Sequence, residues 1–298
     1  MPPAVGLFHR AIAMSANAFR GVSRDNATRA TQRFLKNLGI GDRDIDKLAA
    51  LPMDALIRTN PAGSAVGPVI DGRSYPREAF EPTASLGTAD VPMIMGSCRT
   101  EVTFHADTPL DPIDEDGLVA RLKTYTRASE PDVKGLIALY RRTGPAMDTA
   151  MLYQVIASDW WLTTDQAEQA RRKTALGRAP GYLYQFHKMT PASVHLGKLH
   201  CPHTSDIPYM LDNLHKAALM NGPGSQALAD SMSSMLSRFA HTGDPNGGGL
   251  PKWTPYSAAN RAVMIFDDHT RVEMAPREEE RSAVAALKMK APAGGGAA

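Results

Sequence analysis

Val91-Pro92-Met93-Ile94-Met95-Gly96 is apolar at every position along a strand-length run. A strand with two apolar sides needs cover on both, as inside a parallel sheet with helices above and below. Gly181-Tyr182-Leu183-Tyr184-Gln185-Phe186, bounded by Pro180, reads as a second strand. Val263-Met264-Ile265-Phe266 reads as the last one, and Ala11-Ile12-Ala13-Met14 as an early buried strand. Helical patterns separate them. From Arg24 to Leu38 the residues Ala27, Ala30, Phe34, Leu35 and Leu38 share a face, with Ser23 placed to cap the start and Gly39 to end the helix. Helices are also expected over Leu118 to Tyr125, Val133 to Arg142, within Met147 to Leu176, and over Ser225 to His241, where Gly243-Asp244-Pro245 stops the pattern. Pro61 to Pro82 reads as loops. Strands spaced by helices imply an α/β architecture with a mostly parallel sheet flanked by helices. The Ala, Gly, Pro and Lys tail from Lys288 to Ala298 has nothing to bury and is expected to be disordered, leaving 1–287 as the folded part.

The 298 residues suffice for one large domain, and 43% hydrophobic with 21% charged residues is ordinary globular composition. No apolar run approaches the roughly 18 residues of a membrane helix. Lys and Arg number 33 against 31 Asp and Glu, interspersed, which points away from nucleic acid and membrane as partners. Two cysteines, Cys98 and Cys201, exclude a disulfide-stapled scaffold. The first ten residues lack the basic start and apolar run of a secretion signal, so the chain as written is expected in the cytoplasm, with the compartment of a longer protein left open.

Several phrases then fall in order. They are Gly6-Leu7-Phe8-His9-Arg10-Ala11-Ile12-Ala13-Met14-Ser15, Pro68-Val69-Ile70-Asp71-Gly72, Asp90-Val91-Pro92-Met93-Ile94-Met95-Gly96, Ser158-Asp159-Trp160-Trp161, Asp206-Ile207-Pro208-Tyr209, Arg238 to Asn246, and Trp253-Thr254-Pro255-Tyr256. Over nearly its whole length the chain thereby resembles the type B carboxylesterase family of α/β-hydrolases, the group of the para-nitrobenzyl esterases and cholinesterases. The resemblance implies a partial α/β-hydrolase fold. It also places Glu101 where the family has its triad acid, with Thr100 and Val102 standing for the family's acidic residue and glycine on either side. His203, in His203-Thr204-Ser205-Asp206, stands where the family has its catalytic base.

The pair has a general chemical logic. A serine hydroxyl attacks only when an imidazole takes its proton, and the imidazole needs a carboxylate to fix its tautomer and balance its charge. Such hydrolysis also needs a G-x-S-x-G elbow to project the serine, and no serine of this chain lies in one: Ser15, Ser64 and Ser225 all lack a glycine at one or both positions. The family's elbow and oxyanion loop precede the Gly-Leu-Phe-His-Arg phrase, which here starts at residue 6. The expectation is therefore the C-terminal portion of a longer esterase, inactive alone, with an N-terminal fragment as the partner supplying the serine and an unpaired apolar sheet edge beside the first strand. The substrate implied is a small-molecule carboxylic ester, with no metal or organic cofactor. The alternative is a non-catalytic, cholinesterase-like binding protein, against which the retention of both Glu101 and His203 argues.

Other readings concern the surroundings. His195, His200, Cys201 and His203 could be read as metal ligands, but no second ligand pair follows. Cys98 and Cys201 lie three and two residues before Glu101 and His203, so their sulfurs could meet as a bridge or as free buried thiols. Trp160, Trp161 and the fifteen methionines suit an apolar pocket or the core. Ser205 and Asp206 could support the His203 loop.

Overall fold

The computed structural model describes residues 1–16, 21–59, 67–191 and 200–290. Within them the strands are β1 (Ala11–Met14), β2 (Val22–Ser23), β3 (Val69–Ile70), β4 (Met93–Cys98), β5 (Gly181–Phe186), β6 (Ala262–Phe266) and β7 (Arg271–Met274). The helices are α1 (Arg24–Asn37), α2 (Met53–Thr59), α3 (Glu115–Thr126), α4 (Glu130–Thr143), α5 (Thr149–Ser158), α6 (Thr164–Thr174), α7 (Ile207–Met210), α8 (Ser225–Thr242) and α9 (Glu278–Lys290). One sheet runs β1-β4-β5-β6-β7, parallel except for its last pair, and β2 pairs with β3 beside it.

Alternation along the strands sorts the core into two layers. Ile94, Tyr182, Tyr184, Phe186, Met264 and Phe266 face α8, where they meet Met232, Met235 and Phe239. Met95, Leu183, Val263 and Ile265 face α6, where they meet Ala167 and Ala170. Each fully buried side chain of this size contributes roughly 1.5–3 kcal/mol, which is why β4, β5 and β6 are apolar nearly throughout, Ser97 and Gln185 being the exceptions. A third cluster joins α3, α4 and α5 to Val284 of α9. Gly96 is demanded by packing, because a Cβ there would lie 2.1 Å from the Tyr184 ring.

Ser23 caps α1 as expected, its hydroxyl accepting from the Asn26 N–H, and Gly39 follows with φ +68°. Elsewhere the structure corrects the sequence. The strand expected at Val91–Gly96 begins only after Pro92, which has no N–H to give the ladder, and runs on to Cys98. β1 is half-buried rather than buried, since it is the sheet's edge. Of the loops expected over Pro61–Pro82, residues 61–66 lie outside the described residues, and the remainder includes β3. Val263–Phe266 is not the last strand: β7 returns antiparallel as a short, charged edge. The expected tail is helical as far as Lys290, with the Lys288 ammonium donating to the Trp160 carbonyl and to Asp165. Its remainder, 291–298, lies outside the described residues. The undivided Met147–Leu176 stretch is α5 and α6 joined by a π-helical turn at Asp159–Thr163.

That turn carries a buried charge. Asp159 is fully buried and accepts from the Tyr140 hydroxyl at 2.6 Å and from the Arg277 guanidinium, with Arg99 at 3.9 Å. Burial pushes its pKa up, but the charges of Arg277 and Arg99, with hydrogen bonds from Arg277 and the Tyr140 hydroxyl, outweigh this and hold it below the usual carboxylate value. Arg99 is the residue after β4, so the network braces the loop that leads to Glu101.

Candidate active site

Glu101 opens a 3₁₀ turn immediately beyond β4, at the carboxyl end of the parallel sheet where α/β folds gather their sites. It is fully buried, and both its oxygens are occupied. Oε1 accepts from the Ser15 hydroxyl and the Cys98 N–H, each at 2.6 Å, and Oε2 faces His203 Nδ1 at 2.5 Å. A carboxylate gripped at both oxygens cannot rotate, so the imaginary line from Oε2 through the imidazole is fixed.

His203 arrives from the opposite side on a loop tied to the Glu101 segment. Thr100 N–H donates to the Cys201 carbonyl at 3.0 Å, and Cys201 N–H donates to Thr100 Oγ1 at 2.9 Å. His200 and Thr204 flank the histidine with φ of +55° and +72°, left-handed conformations that turn the chain tightly around it. Below, Asp206 is buried and accepts from the Tyr184 hydroxyl at 2.5 Å, so the ring that needs Gly96 also anchors the base loop. Burial pushes the Asp206 pKa up. Ser205 donates to the Pro202 carbonyl and lies 3.8 Å from Cys98 Sγ. Both residues thus underpin the loop.

The Glu101 hydrogen bond raises the His203 pKa above the ordinary histidine value, and partial burial offsets only some of this. With Nδ1 donating to Glu101, the tautomer that leaves Nε2 as the proton acceptor is favoured, and no described residue hydrogen-bonds Nε2. The side chain is 35% exposed, so this nitrogen can be reached. Trp161 lies beside the ring at 5.7 Å between centroids, and His105 packs on Trp161 at 4.7 Å. Of the tryptophan pair, Trp160 is buried in the helical core, and Trp161 packs on that core while reaching His203. The arrangement can take a proton at Nε2 and return it.

Sequence reasoning weighed Ser15 only as a nucleophile and missed what it does. It sits one residue past β1 with φ +51°, its N–H donating to the Gly96 carbonyl at 2.7 Å and its hydroxyl to the acid. The available signal was register: Met14 pairs with Gly96, so the residues after β1 and β4 emerge side by side. Metal ligation finds no support among the described residues: no group of three candidate ligands converges. His200 Nδ1 faces Gln154 Oε1 at 2.7 Å, the Cys201 thiol donates to the Phe186 carbonyl, and His195 lies outside the described residues. Cys98 and Cys201 are free and buried, and burial, with Cys201 next in effect, pushes the Cys98 thiol pKa well up.

The model of the carboxylesterase family matches residues 1–284. The chain belongs to this family. Among similar proteins, the para-nitrobenzyl esterase of Bacillus subtilis is 23% identical over 94% of this chain and 57% of its own length. The phenmedipham hydrolase of Pseudarthrobacter oxydans is 25% identical over 90% of this chain and 55% of its own. A solved carboxylesterase structure from Geobacillus stearothermophilus superposes with a TM-score of 0.76 at 27% identity, covering 95% of this chain and 60% of that one. This carboxylesterase-family chain therefore has the α/β-hydrolase fold of its relatives and spans a little over half their length.

Proposed function

We propose that this chain carries the acid and base of a serine carboxylesterase. Glu101 orients His203 and balances its charge. His203 takes the proton of the attacking serine through Nε2, passes it to the leaving alcohol, and then activates water to release the acyl group. The serine and the oxyanion donors come from polypeptide outside these 298 residues, in which no G-x-S-x-G occurs. The substrate class is a small carboxylic ester, met beside Trp161 and His105. The observation that carries the reading is the 2.5 Å contact between Glu101 Oε2 and His203 Nδ1, at the carboxyl end of the sheet in a carboxylesterase-family chain.

The test pairs this chain with a polypeptide bearing the elbow, fused or co-expressed. Hydrolysis of a short p-nitrophenyl ester, blocked by a fluorophosphonate and lost in His203→Ala, is the expected result. Alone, the chain should neither label nor turn over. A fluorophosphonate adduct mapped to a serine of this chain, or full activity in His203→Ala, would overturn the assignment.

A further inference from the structure

Behind β4, on the side away from His203, the packing of α6 against the sheet is incomplete. A cavity there leaves about 10 Å³ for the centre of a water molecule, room for one. Its lining mixes apolar Leu183 and Val263 with the polar residues Ser97, Gln166 and Arg281. Each of these three carries a polar atom with no partner among the described residues: Ser97 Oγ, Gln166 Oε1 and Arg281 Nε. The residues are 1%, 1% and 8% exposed, so bulk water does not serve them. An unsatisfied buried polar group costs about 1–3 kcal/mol, and a buried water typically makes about three hydrogen bonds.

The orientation of Gln166 follows from its other end. The Gly96 carbonyl can only accept, so Nε2 must face it, at 2.8 Å, and Oε1 is turned the other way. That same carbonyl accepts the Ser15 N–H at 2.7 Å, and the Ser15 hydroxyl holds Glu101 Oε1. A continuous chain therefore runs from the cavity through Gln166, Gly96 and Ser15 to Glu101 and His203.

We propose that the cavity binds one structural water bridging Ser97, Gln166 and Arg281, and that Gln166, steadied by it, is a positioning residue that sets Ser15 and through it the acid. The water donates to Gln166 Oε1, accepts from Arg281 Nε and completes its shell with the Ser97 hydroxyl. Gln166 touches neither substrate nor His203. Its catalytic consequence rests on the esterase reading, whereas the water site does not.

Two measurements on the chain as it stands test this. A crystal structure resolving ordered solvent should show a single peak within hydrogen-bond distance of all three atoms; a dry cavity, or Gln166 turned away from Gly96, overturns the water. In proton NMR, the Nδ1 proton between His203 and Glu101 should give a far-downfield resonance, assigned by its disappearance in His203→Gln. Gln166→Leu, which removes both hydrogen bonds at similar volume, should abolish that resonance, and Ser97→Ala should broaden it. An unchanged resonance in folded Gln166→Leu overturns the positioning role. If that variant does not fold, an unchanged resonance in Ser97→Ala does so instead. Neither readout needs turnover, so failure to reconstitute an esterase would leave this result standing on its own.

Discussion

β1 and β4 are neighbours in register, comparably apolar, and treated very differently by the fold. Ile94 and Met95 of β4 are fully buried, while every residue of β1 is half-exposed, and Leu7 just before it is 77% exposed. Apolar composition specifies a strand, but its place in the sheet decides whether that strand is covered. The site straddles this boundary, because the acid comes from the dry strand and the serine that holds it comes from the open one.

The largest effect should come from the charged brace under the dry side. Arg277→Met leaves buried Asp159 with the Tyr140 hydroxyl and the more distant Arg99 as its one remaining cation among the described residues, and urea unfolding should show a loss of about 3–5 kcal/mol. A smaller value would mean that solvent reaches Asp159. Next comes a direct comparison of the two strands by the same measurement. Ile94→Ala should cost about 2–5 kcal/mol and Ile12→Ala less than about 1.5 kcal/mol. Equal losses would erase the distinction, and covering β1 with the elbow-bearing polypeptide should raise the second value. Ser15→Ala removes a hydrogen bond to a buried carboxylate and should cost about 1.5 kcal/mol.

The smallest effect is one of pH. Because Glu101 raises the His203 pKa in the folded protein, the stabilisation is fully present below the unfolded histidine value of about 6.5. It is lost as pH rises through the higher folded pKa. The stability difference between the wild type and His203→Gln should therefore shrink across that interval, and a difference that grows with pH would reverse the assigned direction.

What could be read from the sequence was whatever local chemistry alone enforces. Gly181–Phe186 is aromatic along one face and, Gln185 apart, apolar along the other, and is the strand expected, and α1 and α8 follow from apolar stripes with clear ends. Glu101 and His203 were legible through the phrases around them, and the structure brings them into contact. What escaped was held by tertiary polar contacts. α9 is docked by Glu280, which accepts from the Thr143 hydroxyl, and by Lys288 as much as by Val284, so an apolar count passes over it. β7 is four residues of mixed charge whose partner strand, not its own pattern, makes it a strand. Ser15 and Gln166 matter through a carbonyl they share, which no single stretch of sequence displays.

The π-helical turn that sets Trp161 against His203 has an optical consequence. The chain has three tryptophans, and Trp160 and Trp253 are buried in the core while Trp161 is only partly so. An imidazolium quenches indole emission by accepting an electron from the excited ring, which neutral imidazole does poorly, and the centroids are 5.7 Å apart. Fluorescence from Trp161 should dim as His203 gains its proton and brighten as it loses it, and His105, nearer the same ring but with its pKa lowered by burial, should quench only at lower pH, in a step that remains in His203→Gln. The site contains its own dye, and the protonation state of the base can be followed without substrate or label.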